Sequence, residues 1–125
     1  MIDFKNSSVF KLKTIEHEDV KEGFYKFLIE DEHIIAAFKT IRDQVVFTNK
    51  RVIAANVQGI TGSKVDYTSL PYNKVNAFSV ESAGTFDMDS EVTLYVSEVG
   101  EVKFELRGSF DIIAFNKEIS KGVLG

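Results

Sequence analysis

The chain has 125 residues, a length that fits one domain with a buried core. It contains no cysteine, which excludes disulfides and thiolate metal sites, and its net charge of −4 without a basic run argues against nucleic acid as a partner. Eleven Phe against four Tyr and no Trp favour core packing over a platform for stacked bases. The longest apolar run, Ile34 to Phe38, is far too short to cross a bilayer. The start of the chain has no signal-peptide pattern, and we expect a cytoplasmic protein.

The first 32 residues predict a weakly patterned segment followed by one helix. Val9, Phe10 and Leu12 could form a short segment laid on the body of the domain. A helix over residues 15–29 is indicated by apolar residues spaced i, i+4, i+7 and i+8, namely Val20, Phe24, Phe27 and Leu28. This stripe has to cover the outside of the domain, a neighbouring subunit, or both.

From residue 34 the apolar period changes from about four to two, which indicates β-strands. Seven strands are predicted, at residues 34–41, 45–47, 52–57, 64–70, 75–80, 91–97 and 101–107. The second and third form a tight hairpin around Thr48–Arg51, in which Asn49 tolerates a positive φ. Because this hairpin is apolar on both faces, it belongs in the middle of the core.

The end of the chain predicts a second amphipathic helix. Gly108 interrupts the alternation and Ser109 is the expected N-cap. A helix over residues 110–123 is indicated by one apolar stripe, formed by Ile112, Phe115, Ile119 and Val123. The predicted organisation is one domain over 1–125, with an N-terminal segment and helix (1–32), a barrel (33–107) and a closing helix (109–124).

Several segments resemble the small bacterial pleckstrin-homology-like family. They are residues 43–53, 57–64, 69–72, 78–84 and 86–91, and the resemblance extends over nearly the whole chain. It implies a mainly β fold, a seven-stranded antiparallel and partly open barrel capped by the C-terminal helix, here with an extra N-terminal amphipathic helix. It also implies a non-enzymatic, intracellular, self-assembling domain that forms rings, with five subunits as the expected number.

Four cations are candidates for contacts with an anion: Lys39, Arg42, Lys50 and Arg51. A phosphate site needs several such side chains converging on one point. Here they occupy two successive turns, and successive turns of such a barrel often point to opposite ends. We therefore interpret them as solvated turn residues. A peripheral membrane or phosphate-headgroup binding domain is the alternative function.

Neither catalytic nor metal chemistry has a clear signature. Asp87, Asp89 and Glu91 alternate as calcium ligands could, but without the spacing of an EF-hand, so a solvated acidic loop is favoured. His17 and His33 are too far apart along one helix to share a metal, and we expect them at the surface. No serine lies in a Gly-x-Ser-x-Gly motif. We expect no catalytic residue, no cofactor and no metal.

The expected partner is a second copy of the chain, with another protein as a further possibility. Candidate contacts are Phe24 and Tyr25 on the N-terminal helix and Tyr95 on the outer face of the sixth predicted strand. An anionic membrane would repel the acidic chain as a whole. The predicted role is a self-assembling scaffold that forms a homo-oligomeric ring.

Overall fold

A single eight-stranded sheet and two α-helices form the fold. The computed structural model describes residues 1–2, 9–82 and 89–125, with the backbone alone for residues 9 and 10. The elements are β1 (Val9–Thr14), α1 (Glu22–Phe27), β2 (Ile34–Lys39), β3 (Gln44–Thr48), β4 (Arg51–Gln58), β5 (Lys64–Pro71), β6 (Val75–Ser82), β7 (Ser90–Val96), β8 (Gly100–Arg107) and α2 (Ile112–Leu124). Short 3₁₀ turns cover His17–Asp19 and Tyr72–Lys74.

The strand order is β5-β4-β3-β2-β1-β8-β7-β6, so the sheet is not closed. The predicted fold class, a partly open antiparallel barrel with a C-terminal helix, is confirmed, with the correction that β1 and β8 pair in parallel. The predicted number of strands is corrected from seven to eight by β1. This strand pairs antiparallel with the end of β2 and parallel with β8, and so joins the two halves of the sheet. In the sequence it is only a short, weakly patterned segment, and its strand partners lie far away along the chain.

The main core fills the concave side of the sheet with alternating side chains from nearly every strand. Phe47 lies near its centre, with ring centroids 5.8 Å from Phe38, 5.3 Å from Phe104 and 4.9 Å from Phe115, each in an edge-to-face arrangement. Aromatic pairs in this geometry contribute about 0.5–1.5 kcal/mol beyond the area that they bury. Phe47 belongs to the hairpin of β3 and β4, so these contacts place that hairpin in the middle of the core, as predicted.

Helix α2 closes the concave side, as predicted. Ile112, Phe115 and Ile119 are its buried residues and follow the expected stripe. The N-cap, however, is Asp111 and not Ser109, because the Oδ1 of Asp111 accepts a hydrogen bond of 3.0 Å from the backbone N–H of Ala114. A carboxylate at this position also interacts favourably with the helix dipole.

The N-terminal helix is shorter than the sequence predicted. Only Glu22–Phe27 is α-helical, because Val20 and Lys21 have extended ψ angles of 133° and separate it from the preceding 3₁₀ turn. The apolar stripe was expected to cover either the outside of its own domain or a neighbouring subunit. Its buried residues cover the convex face of the sheet and therefore have an intramolecular role. This outer cluster consists of Val20, Phe24, Ile34, Ala37, Val46, Ile53 and Ala55.

We expect Phe115→Ala to lower the free energy of unfolding by about 3–5 kcal/mol, because it removes a buried ring that contacts Phe47 and Phe110. Urea titration followed by circular dichroism would measure the change. Ile113→Ala on the exposed side of α2 is the matched control and should change the same quantity by less than about 0.5 kcal/mol. Equal effects of the two substitutions would contradict the role assigned to Phe115.

Candidate functional site

The structure separates the four candidate cations into two pairs. Lys39 and Arg42 flank the turn between β2 and β3, whereas Lys50 and Arg51 follow the other end of β3. Each pair lines a different depression of the surface. The four side chains therefore form no common site.

Arg51 is held in place by the buried carboxylate of Glu32. Its Nε and Nη2 donate to the two carboxylate oxygens of Glu32 at 2.9 Å each. Nη2 also donates to the carbonyl oxygen of Phe27 at 2.7 Å, and Nη1 donates to the Oγ of Ser69 at 3.1 Å. With its guanidinium engaged in this way, Arg51 is a structural cation rather than a free anion contact.

The Glu32 carboxylate is fully buried and accepts further hydrogen bonds. The hydroxyl of Thr48 donates to it at 2.7 Å and the backbone N–H of Ile29 at 3.0 Å. Burial raises the pKa of Glu32, but the hydrogen bonds from Arg51, Thr48 and Ile29 outweigh it and leave the pKa below its usual value. The carboxylate is consequently charged at neutral pH and has no role as a general acid there.

Tyr72 connects the same region to the core. Its hydroxyl donates to the backbone oxygen of Thr48 at 2.7 Å. Burial, together with the nearby charge of Glu32, raises the pKa of Tyr72. Gly122 of α2 packs against the Tyr72 ring so closely that a Cβ would overlap it. This tyrosine is therefore a neutral packing residue.

Lys39 and Arg42 belong to a larger basic groove where β1 joins the two halves of the sheet. This groove, the seam groove, has a volume of about 800 Å³. Its described lining consists of Lys11, Leu12, Lys13, Lys39, Thr40, Ile41, Arg42 and Arg107. Sequence reasoning missed Lys11, Lys13 and Arg107. The signal was the alternation Lys11-Leu12-Lys13, which places both lysines on one face if the segment is a strand.

The three candidate oligomer contacts differ in accessibility. Phe24 is fully buried within its own subunit and packs edge-to-face on Tyr67 at 5.3 Å, so it is withdrawn as a subunit contact. Tyr25 and Tyr95 are 44% and 46% exposed. The hydroxyl of Tyr95 donates to Glu101 at 2.6 Å, which fixes the ring on the convex face of β7.

Acidic side chains form a row across β6, β7 and β8. Glu81 is paired with Glu91, and Glu91 with Glu105. In the predicted acidic loop, Asp87 lies outside the described residues, as do residues 83–84 and 86–88 of the family-like segments. Within residues 1–2, 9–82 and 89–125, no three His, Cys, Asp or Glu side chains are grouped so that they could hold a metal ion.

Comparison with known proteins identifies the class. Residues 3–123 match the family model described as the bacterial PH domain. The curated relative YjqA of Bacillus subtilis, an uncharacterised protein, is 46% identical over 84 residues, which are 67% of each chain. The chain therefore belongs to the bacterial PH domain family. None of the described helices is long and apolar enough to cross a membrane.

Two solved structures support the same assignment. A pleckstrin-homology domain protein from Shewanella loihica is 35% identical, with a TM-score of 0.69 over 91% of this chain and 98% of its own. A pleckstrin-homology domain from Shewanella amazonensis is 39% identical, with a TM-score of 0.56 over 86% and 91%. Fold and sequence thus agree on the family.

The buried pair gives the stability a defined pH dependence. Because the pKa of folded Glu32 lies below its ordinary value of 4.5, the pair contributes fully above that pH and its contribution is lost as the pH falls through the folded pKa. At pH 7, Glu32→Gln should lower the free energy of unfolding by an amount near the lower end of about 3–5 kcal/mol, since Arg51 stays partly solvated. Urea titrations from pH 7 to pH 3 should show the wild type approaching the variant.

The matched control is Glu118→Gln, at an acidic residue that forms an exposed pair with Lys121. This variant should follow the wild-type pH profile, because exposed pairs contribute about 0–1 kcal/mol. A difference between wild type and Glu32→Gln that stays constant down to pH 3 would contradict the assigned pKa.

Proposed function

We propose that this bacterial PH domain is a non-catalytic interaction module whose first partner is a second copy of itself, assembled head to tail into a ring. The observation that supports this most directly is the open sheet. Among the described strands, β5 and β6 have only one neighbour each. Both are eight residues long, and unpaired strand edges are surfaces that other chains can join.

The β5 edge adjoins exposed apolar side chains. Tyr25, Phe27 and Ile29 are 44%, 50% and 60% exposed. Phe27 packs on Tyr67 of β5 with ring centroids 4.8 Å apart, so Phe27 lies beside this edge, and Tyr25 and Ile29 are two residues from Phe27 on either side along the chain. We call them the helix patch.

The β6 edge carries a different surface. Tyr95 of β7 is in register with Ala77 of β6 and with Glu101 of β8, which makes one convex row beginning at the edge. Tyr95 is 46% exposed, Ala77 is also exposed, and most other side chains of β6 face solvent. We call Ala77 and Tyr95 the edge patch.

Two unlike patches favour a heterologous contact. The helix patch of one subunit would meet the edge patch of the next, and repetition of such a contact gives either a closed ring or a filament. Closure leaves no unused patch, which makes a ring the more soluble outcome. The five subunits implied by the family resemblance are part of this proposal.

We expect light scattering coupled to size exclusion to give a mass several times the 14.1 kDa of one chain at micromolar concentration. The double substitution Phe27→Ser/Ile29→Ser should dissociate this assembly to monomers, because it removes exposed apolar area from one half of every contact. Tyr95→Lys should do the same from the other half.

Ile113→Ser is the matched control, since Ile113 is 50% exposed on α2, the helix that closes the opposite, concave side of the sheet. It should leave the mass unchanged, and circular dichroism should show that all variants remain folded. A monomeric wild type would refute self-association. A stable dimer of the wild type would refute the ring and retain the interaction module.

A further inference from the structure

We propose that a groove between β2 and the start of α2 binds a basic peptide segment of a partner protein. We call it the α2 groove. It has a volume of about 310 Å³, and its described lining consists of residues 14–17, residues 35–38 of β2, and residues 109–111, 114, 115 and 118. No residue of the helix patch, the edge patch or the seam groove lines it. The inference therefore goes beyond the self-association proposed above.

The groove exists because β1 leaves the sheet opposite the middle of β2. Thr14, the last residue of β1, is in register with Phe38, and the backbone N–H of Ile15 donates to the carbonyl oxygen of Ala37 at 3.0 Å. The chain then enters the first 3₁₀ turn. Residues 34–36 of β2 consequently have β3 on one side and no described strand on the other. Since paired backbone fixes this opening, the groove is formed before a partner arrives.

Phe110 gives the groove a firm apolar wall. Its ring packs edge-to-face on Phe38 and on Phe115, with ring centroids 5.5 Å and 5.4 Å away. Phe38 and Phe115 are buried, whereas Phe110 is only half-buried. The aliphatic part of a Lys or Arg side chain can lie on such a surface while its charged end reaches outward. An aromatic face also attracts a cation.

The charged side chains around this wall are all acidic. Glu16, Asp111 and Glu118 are among the described lining residues, together with His17, and no Lys or Arg is. Glu16 and Asp111 are exposed and form no ion pair with another described residue. Glu118 pairs only with Lys121, whose side chain is 74% exposed, and such a pair is weak. An apolar wall bordered by free carboxylates complements a Lys or Arg side chain in both its parts.

The spacing of the carboxylates fits an extended segment. Asp111 and Glu118 are seven positions apart along α2, which corresponds to about 10 Å at ~1.5 Å per residue. An extended chain covers about the same distance in three residues. The volume is at the lower end of small-molecule sites, so the groove suits two side chains rather than a whole large ligand. A segment with two basic residues three positions apart meets these conditions, whereas an anionic membrane would be repelled by the same carboxylates.

The test uses the full-length protein and the acetylated, amidated peptide Gly-Arg-Ala-Ala-Arg-Gly at an ionic strength of about 0.15 M. Isothermal titration calorimetry should detect binding of this peptide and none of the version with Gln in place of Arg. In Glu16→Gln/Asp111→Asn the dissociation constant should rise by at least about tenfold, because two charges that face the arginines are lost. Asn is as good an N-cap as Asp, so α2 keeps its first turn.

Two further variants make the result specific. Glu81→Gln/Glu91→Gln removes the same charge from the acidic row on β6 and β7, outside the groove, and should bind as the wild type does. Ala114→Lys places a cation of the chain itself at the groove and should abolish binding, and the fold should be retained because Ala114 is exposed. Circular dichroism verifies that each variant is folded. Equal weakening in both double variants would mean general attraction to an acidic chain and would overturn the proposal.

Other occupants are tested directly. Arginine amide alone should bind much more weakly than the peptide, and equal affinity would assign the groove to a small amine. The mass of Ala114→Lys by light scattering should equal that of the wild type, and a lower mass would assign the groove to a neighbouring subunit. Either result, or absence of peptide binding, overturns the proposal. A monomeric wild type that binds the peptide would refute self-association and support this site.

Discussion

The contact between the buried carboxylate of Glu32 and the guanidinium of Arg51 joins three parts of the chain. Glu32 follows α1, Arg51 begins β4, and the same guanidinium reaches the backbone of Phe27 and the side chain of Ser69 on β5. Removing a carboxylate from water is costly, and here a two-point contact with Arg51 and two further donors offset that cost. This arrangement fixes the end of the N-terminal helix over the convex face, because the Arg51 guanidinium donates to the backbone oxygen of Phe27, the last residue of α1.

A second constraint is the short strand β1. Without β1, the strands β2 and β8 would each lack a neighbour on one side. Strand β1 lies between them and pairs with both. Leu12 is buried in the main core, so the strand is anchored by packing as well as by its hydrogen bonds. The alternation that buries Leu12 turns Lys11 and Lys13 outward. The basic character of the seam groove is thus a consequence of how the barrel is joined.

Patterns among neighbouring residues predicted much of the fold and little of the candidate functional site. The period of two located seven strands, and the stripe of Ile112, Phe115 and Ile119 located the closing helix, because each signal lies within a few neighbouring residues. The spacing of Val20, Phe24, Phe27 and Leu28 also fits a helix, yet the extended backbone at Val20 divides the segment. The role of Arg51 was not predictable, since its partner Glu32 is 19 positions away. Nor was the seam groove, whose cations come from β1, β2, β8 and the turn that follows β2.

The role of Gly23 also depends on a residue that is distant in the sequence. In the sequence it only weakens a helix, but in the fold it packs on Tyr67 so closely that a Cβ would overlap the tyrosine hydroxyl. That contact holds the Tyr67 ring against Phe24 and Phe27, at the margin of the outer cluster. One side of the ring thus completes a core and the other supports the exposed Phe27. The side chains that cover the convex face and those left for a partner therefore belong to one continuous layer, and a partner that bound the helix patch would extend the outer cluster rather than create a separate contact.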